Sequence, residues 1–470
     1  MARNKIVKWL ITIGVGVFVA LLPRPEGVPS EAWTLLAIFV STIVGSIVQP
    51  LTGSAVVMLG VVATVVFGAL KPTEALKGYA EPVVWLVLAA YFFSCAFIKT
   101  GIGHRIALLF VRAVGRKTIG LGYGLVATDF VLASMIPSNG ARNGGIILPI
   151  VQSISETYDS RPGDGTAGRL GTFLINLLYQ CDVIICATFL TGQASNFIIR
   201  KLIQDNTGIE LTYLSWFAAG IVPALVSLAV IPFLIYRLVP PEVKETPEAA
   251  RFAQDELTKL GRIKQSEIVV LGVLATVIFF WITKDILHPV DTAFVALAGI
   301  GVLLLAGVIE WRDLMGEKAA WSVFIWYGGL VNMAMWLGET GLTRLFAERM
   351  GSLTTGMTWV AALAILALVY FYSHYFFASI TGHVLAMFVP FLLVTLAAGA
   401  PVGLAVLMLA YFSNLNAGLT HYGTTPAPIY FGAGYVKQRT WWIVGLVASV
   451  VNIIIWSIVG LAWWKLLGWW

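Results

Sequence analysis

The sequence predicts an all-α integral membrane protein, with 11 transmembrane helices and two re-entrant hairpins arranged as an inverted repeat. Three observations predict this. Hydrophobic residues make up 59% of the 470, charged residues only 11%, and mean hydropathy is +0.87; a soluble domain carries about 25% charged residues. The apolar runs are near the ~20 residues a spanning helix needs, whereas barrel strands are near ~10 residues and alternate. Finally, one polar pattern occurs twice, about 240 positions apart: Lys99-Thr100-Gly101-Ile102 returns as Glu339-Thr340-Gly341-Leu342. Further on, Ser138-Asn139-Gly140-Ala141-Arg142 is matched by Ser379-Ile380-Thr381-Gly382-His383. The Thr-to-Ser distances are 38 and 39 residues, and a Pro follows each Ser by 11 positions, at Pro149 and Pro390. Duplication in an apolar chain, with small polar residues breaking the apolar runs, marks a secondary transporter.

The first apolar run, 6–22, follows basic Arg3, Lys5 and Lys8. No small-residue cleavage site precedes the next span, so residues 1–30 read as a retained first helix with a cytoplasmic N-terminus. Repeat 1, residues 31–239, opens with apolar segments 33–48, 54–70 and 84–99. Lys99, Arg105, Arg112, Arg116 and Lys117 follow with no intervening acid, which places that stretch in the cytoplasm. Segments 118–136 and 140–154 form the first re-entrant hairpin (118–155), entering and leaving on the cytoplasmic side; backbone of that kind survives only when buried in protein or lining a cavity. Segments 170–199 and 214–238 complete the repeat.

Residues 240–266 are rich in Glu, Lys and Arg and read as a cytoplasmic linker, partly helical around Thr246–Leu260. Repeat 2, residues 267–470, carries segments 267–286, 291–309, 321–338, the second hairpin 356–376/380–398, then 401–437 and 441–467. Between Glu339 and Arg349 there are two acids and two arginines, so the counterpart of the basic stretch has no positive bias and belongs on the outer side. The repeats are therefore inverted, and the second hairpin faces outward. Segments 102–114 and 342–350, behind the two Thr-Gly pairs, suit horizontal interfacial helices, either arms for a moving part or plain anchors. Trp463, Trp464, Trp469 and Trp470 form an interfacial aromatic belt.

Several function classes drop out. The net charge of +6 is loop topology and no nucleic-acid footprint. Cys95, Cys181 and Cys186 lie in apolar segments without metal-ligand spacing, so they read as buried thiols, and no metal or cofactor is expected. Gly120-x-Gly122-x-Gly124 lacks the βαβ context of a nucleotide fingerprint and reads as close helix packing. An intramembrane enzyme would need a nucleophile and base, or a metal cluster, in facing positions. Neither pattern is present. A channel suits the duplicated hairpins less well than alternating access.

Three kinds of polar interruption are candidate binding elements. The hairpin tips Ser138-Asn139-Gly140 and Ser379-Ile380-Thr381 offer hydroxyls, an amide and freed backbone N–H groups at helix starts, where an anion is favoured. Two breaks come later, one in each repeat: Thr191-Gly192-Gln193-Ala194-Ser195-Asn196, and the stretch from Ser413-Asn414 through Thr420, His421, Gly423, Thr424 and Thr425. Both suit unwound helices lining a site. The third kind is charge. Arg142 and His383 each lie four residues after the tip serine, and an Arg at membrane depth costs about 2.5–3.5 kcal/mol on insertion scales. Carboxylate recognition by Arg142, helped by a protonated His383 and by His421, would offset that cost; the alternative is an Arg reaching back to the cytoplasmic surface. Asp129 and Asp182, also in apolar runs, either pair with a basic residue or signal proton coupling.

At these residues the chain resembles the divalent anion:sodium symporter family. It looks closest to the branch of 2-oxoglutarate/malate translocators and citrate or tartrate–succinate antiporters. The resemblance rests on Ile136-Pro137-Ser138-Asn139-Gly140-Ala141-Arg142 with Leu148-Pro149, on Phe377-Ala378-Ser379-Ile380-Thr381-Gly382-His383, and on Ser413-Asn414-Leu415 with Leu419-Thr420-His421-Tyr422-Gly423. It implies substrate carboxylates held at Ser138, Asn139, Ser379 and Thr381. Gly140 stands where Thr is usual, and Ile380 offers no amide. The resemblance also implies a homodimer in the lipid bilayer whose transport domain slides as an elevator against a scaffold. Charge bookkeeping suggests sodium-independent exchange of C4/C5 dicarboxylates (2-oxoglutarate, malate, succinate, fumarate), because basic side chains fall beside both tips where cations would otherwise be expected. The alternative within the family is Na⁺-coupled di/tricarboxylate symport.

Overall fold

The computed structural model of the chain describes residues 2–340, 342 and 356–470. Its described elements are helices in this order: α1 Ala2–Leu21, α2 Ser30–Val48, α3 Gly53–Val66, α4 Pro82–Thr100 and α5 Ile102–Val114. The first hairpin follows, with α6 Thr118–Ala133 as its first limb and α7 as its second, the latter made of Asn139–Arg142, a π turn Asn143–Ile147 and Leu148–Thr157. Then come α8 Gly171–Thr188, α9 Ala194–Thr207, α10 Tyr213–Leu238 and the linker helix α11 Pro247–Leu260. The second half holds α12 Gln265–Thr283, α13 Thr292–Leu305 and α14 Lys318–Glu339. Its hairpin pairs α15 Trp359–Tyr372 with α16, again broken into Ile380–His383, a π turn Val384–Phe388 and Val389–Ala397. The chain ends with α17 Val402–Leu415, α18 Pro426–Gly432 and α19 Gln438–Ile455, which runs through a π turn into Leu461–Leu466.

Every apolar run of the sequence has become helix. Among the described residues, ten helices are long and apolar enough to cross a membrane. Two of these are the limbs of the second hairpin, Trp359–Phe376 and Ile380–Ala397. The expected spans at 54–70 and 291–309 are shorter, at 14 residues each (α3 and α13), below the ~20 that cross a bilayer unaided. The second interfacial segment, 342–350, lies outside the described residues apart from Leu342.

The two halves interlock. α14 of the second half packs on α3 of the first, and α13 packs on α4. A separate small core joins Leu35, Val57 and Val61 to Leu330, Met333 and Leu337. At the centre stand α8 and the run Val402–Leu419, each 94% buried by protein rather than left for lipid. Their own breaks explain why. Freed carbonyls need partners at that depth, and α8 supplies them: Tyr179 Oη donates to Ala417 O at 2.6 Å, and Gln180 Nε2 to Gly418 O at 2.8 Å.

Local chemistry sets the ends of the first-half helices. Pro82 opens α4, and Gly101, at φ +76°, ends it in the left-handed cap that lets α5 turn away. α5 buries one face (Ile102, Ala107, Leu108 and Val111), as an amphipathic arm should. The linker helix α11 buries Ala249, Ala253 and Leu257, an i, i+4, i+8 stripe, and lies on α5. The linker is thus docked rather than loose. The Arg105 guanidinium anchors it, donating to Glu267 Oε1 at 3.0 Å and to Gly261 O at 2.9 Å.

A candidate anion site at two hairpin tips

Both hairpin tips are built the same way. Ser138 Oγ accepts the N–H of Ala141 at 3.2 Å, and Ser379 Oγ accepts the N–H of Gly382 at 3.0 Å. Each serine is therefore an N-cap, and one α-turn later each limb widens into a π turn. Pro149 and Pro390 sit just beyond, where a ring in regular α-geometry would strike the carbonyl four residues back. The spacing of 11 residues is thus the interval from cap to helix break.

The tips then cross over. Asn139 Nδ2 of the first hairpin donates to Thr424 Oγ1 in the break of the second half, at 3.1 Å. Thr381 Oγ1 of the second hairpin lies 2.7 Å from Ser195 Oγ in the break of the first half. Below them Gln193 Nε2 donates to Asn414 Oδ1, and Asn414 Nδ2 donates to Asn196 Oδ1 at 2.9 Å. Small neutral donors and two capped helix starts therefore converge, which is a setting for carboxylates. Ser379 and Thr425 are exposed and Ser138 is half-buried, so this face can be reached.

The remaining expected site residues divide sharply. Thr191 is buried and donates to Ala133 O at 2.9 Å. Ser413 is buried against Tyr370 Oη at 2.7 Å, and Gln193, Asn414 and Thr420 are buried as well. Thr191, Gln193, Ser413 and Asn414 are thereby bonded within the protein, while the buried Thr420 hydroxyl has no hydrogen-bond partner among the described residues. The Ile380 side chain is buried too, leaving only its backbone at the tip. Gly140 lies against Thr425, whose Cγ2 would be 2.6 Å from an added Cβ, so the departure from Thr at this position has a steric reason. Gly192 and Gly423 are close-approach positions, where a Cβ would meet backbone at 2.6 Å and 2.5 Å. Sequence reasoning gave no role to Asn143, and it placed Ser195 and Asn196 in a candidate break without singling either out.

The three basic groups need correction. Arg142 is fully buried, and all five of its N–H groups are engaged. Nε donates to Asp129 Oδ1 at 2.8 Å; Nη1 donates to Ile136 O and Gly192 O, both at 2.7 Å; Nη2 donates to Asp182 Oδ1 at 3.1 Å and faces Cys186 Sγ at 3.5 Å. No donor remains for a substrate, and the side chain does not reach the cytoplasmic surface. Asp129 and Asp182 thus take the pairing role. His383 is buried with Nε2 at 3.0 Å from Tyr370 O and 2.8 Å from Ser373 Oγ. With Nε2–H on that carbonyl, Nδ1 is left to accept from the Asn416 amide at 3.5 Å, as a neutral ring does, so His383 is not the expected protonated partner. His421 accepts from Trp442 Nε1 at 3.1 Å and packs on Phe431, away from both tips.

A cavity of about 160 Å³ lies elsewhere, at the far end of α9, lined by Arg200, Lys201, Lys284, Glu81, Glu210 and Asp291. Three acids match its three cations, and Glu210 already bridges Arg200 and Lys284 at 3.0 and 3.3 Å. Such a cavity has no net preference for anions, so the tips remain the candidate site.

A helical membrane fold with two capped hairpins meeting crosswise defines a secondary transporter. The family model described as sodium:sulfate symporter transmembrane region matches residues 3–470, and the chain belongs to that family, the divalent anion:sodium symporters. It is 45% identical to YflS of Bacillus subtilis over 99% of this chain and 97% of that protein. Identity is 43% to the chloroplastic dicarboxylate transporter 1 of Arabidopsis thaliana, covering 98% and 83%. Against the L-tartrate/succinate antiporter of Shigella sonnei it is 30%, covering 97% of each. The solved YdaH transporter of Alcanivorax borkumensis shares the fold at TM-score 0.51 and 12% identity, covering 100% of this chain and 98% of its own. The chain is a membrane transporter and not an enzyme.

Proposed function

We propose that this protein exchanges C4/C5 dicarboxylates such as 2-oxoglutarate, malate, succinate and fumarate across the plasma membrane without sodium. The substrate carboxylates sit at the two capped tips, on Ser138, Asn139, Ser379 and Thr381, with Ser195 and Thr424 beside them. The N-terminus lies in the cytoplasm, as the basic residues Lys5 and Lys8 favour. Movement is of the elevator kind, within a homodimer. The names of the Arabidopsis and Shigella relatives support the substrate class, and the latter's supports antiport.

One observation carries the sodium-independent reading: the Arg142 guanidinium occupies two backbone carbonyls beside the first tip, Ile136 O and Gly192 O. A hard cation would need oxygens of that type. Here a covalently attached cation holds them and cannot leave with the substrate. Without substrate the tip hydroxyls and helix-start N–H groups lose their partners on entering low dielectric, which disfavours return of the empty carrier. Exchange is then the favoured cycle. The test is uptake into proteoliposomes preloaded with 2-oxoglutarate, malate or succinate, with Na⁺ replaced by a bulky organic cation. Uptake should require internal dicarboxylate and ignore sodium; a required Na⁺ gradient would assign the symport reading instead.

A further inference from the structure

Arg142 stands between two carboxylates, and the arithmetic of that group is unbalanced. Asp129, Arg142 and Asp182 are 1%, 0% and 0% exposed. A guanidinium stays charged, so two ionised carboxylates around it leave one uncompensated negative charge in the protein interior. The hydrogen bonds show the same imbalance. Asp182 Oδ1 accepts from Arg142, from Asn143 Nδ2 at 2.8 Å and from Cys186 Sγ at 3.4 Å, and Asp129 Oδ1 accepts from Arg142 Nε. The other oxygen of each carboxylate, Oδ2, is buried and receives no donor from any described residue. Two like charges flanking one guanidinium, each with a bare buried oxygen, are an arrangement in which one of the two carboxylates retains a proton.

We propose that Asp129 and Asp182 together hold one proton, on an Oδ2 oxygen, and that this proton binds cooperatively with the dianion at the first hairpin tip. The groups facing the pair are Arg142 and Asn143 on α7, Tyr179, Cys181 and Cys186 on α8 beside Asp182, and Tyr430 on α18, with Asp129 itself on α6. None but Arg142 is a cation, so a proton is what brings the cluster to neutrality. The route to the tip is a single side chain: Asn143 Nδ2 donates both to Asp182 Oδ1 at 2.8 Å and to Asn139 O at 3.1 Å. A dianion at Ser138 and Asn139 therefore feels the charge of the pair. Neutralising the pair with a proton favours the dianion, and by linkage the dianion favours the proton. Affinity is highest while the pair is protonated and falls as pH rises through its titration.

This second half rests on the dicarboxylate reading; the proton itself does not, and the experiment separates them. Infrared spectra of the substrate-free full chain in lipid at neutral pH should show a carboxylic-acid C=O band that shifts in D₂O. The band should vanish in both Asp129→Asn and Asp182→Asn, since each leaves one carboxylate ionised on Arg142. No such wild-type band, a band surviving in both variants, or one removed by Na⁺ at constant pH would overturn the proton. In exchange assays with a dicarboxylate fully ionised across the range, wild-type KM should rise at least about fivefold between the protonated and deprotonated plateaus. Both single variants should lose that dependence. A flat wild-type profile overturns the linkage, and the wild-type band and profile decide the matter even if neither variant folds. Failure to bind any dicarboxylate with the band present would sink the substrate reading alone.

Discussion

Arg142 shows how a single side chain is legible and illegible at once. Its charge in an apolar run marked it in the sequence, because such a residue has to find compensation. Its partners could not be read, since Asp129 and Asp182 lie 13 and 40 positions away and only the fold brings them together. What looked like a hand extended to the substrate is closed on the protein itself. Glycines separate in the same manner. At Gly192 an added Cβ would lie 2.6 Å from Cys186 O and 2.7 Å from Cys186 Cα, backbone atoms of a fully buried helix end that have nowhere to go. At Gly140 the obstacle is only Thr425 Cγ2, the tip of an exposed side chain that can turn. Gly192→Ala should therefore destabilise the protein by about 1–3 kcal/mol, as overpacking does. Gly140→Ala should lose less than about 1 kcal/mol, and adding Thr425→Ser should remove even that. Thermal unfolding in detergent measures all three, and equal losses at the two glycines would contradict the backbone argument.

Elements were read better than their contacts. Helix positions followed from apolar runs, and the hairpins from polar tips and proline spacing, because those signals are local. The linker's docking was not visible: an i, i+4, i+8 alanine and leucine stripe on a charged segment reads as a weak helix until α5 is beside it. Backbone and side-chain bonds fasten it, among them Thr246 Oγ1 donating to Gly115 O at 2.8 Å, and two further contacts are testable. Arg105 joins α5 to the start of α12 through Glu267, and Tyr158, at the end of the first hairpin, donates to Glu248 Oε2 at 2.7 Å while accepting the N–H of Glu248 at 2.9 Å. That hydrogen bond from Tyr158 holds the Glu248 carboxyl below its ordinary range. Removing Arg105 strands a buried carboxylate, so Arg105→Ala should cost about 3–5 kcal/mol in thermal or denaturant unfolding. Tyr158→Phe removes only a part-exposed contact and should speed hydrogen exchange in 247–260 without moving the global midpoint. A fall of the midpoint comparable to Arg105→Ala would mean that the whole hairpin depends on the linker.

At the scale of the molecule, the relation between the halves matters more than either half. Composition and the length of the apolar runs made the helical membrane class legible, and the repeated Ser-to-Pro interval made the duplication legible, since these are properties of one chain read in order. Reciprocity was not: nothing in the order of residues states that the first tip bonds the second break and the second tip the first. The two bonds, Asn139 to Thr424 and Thr381 to Ser195, join residues 285 and 186 positions apart. A ligand spanning the tips would thus load both halves together, and the pairs should behave as coupled units. In double-mutant cycles on substrate affinity, Asn139→Ala with Thr424→Ala, and Ser195→Ala with Thr381→Ala, should each deviate from additivity by about 0.5–3 kcal/mol. Thr191→Ser, whose hydroxyl is engaged with Ala133 O away from the tips, should combine additively with any of them, within about 0.5 kcal/mol. Additive behaviour in both crosswise pairs would show that each tip binds on its own, and a single shared site between the halves would have to be given up.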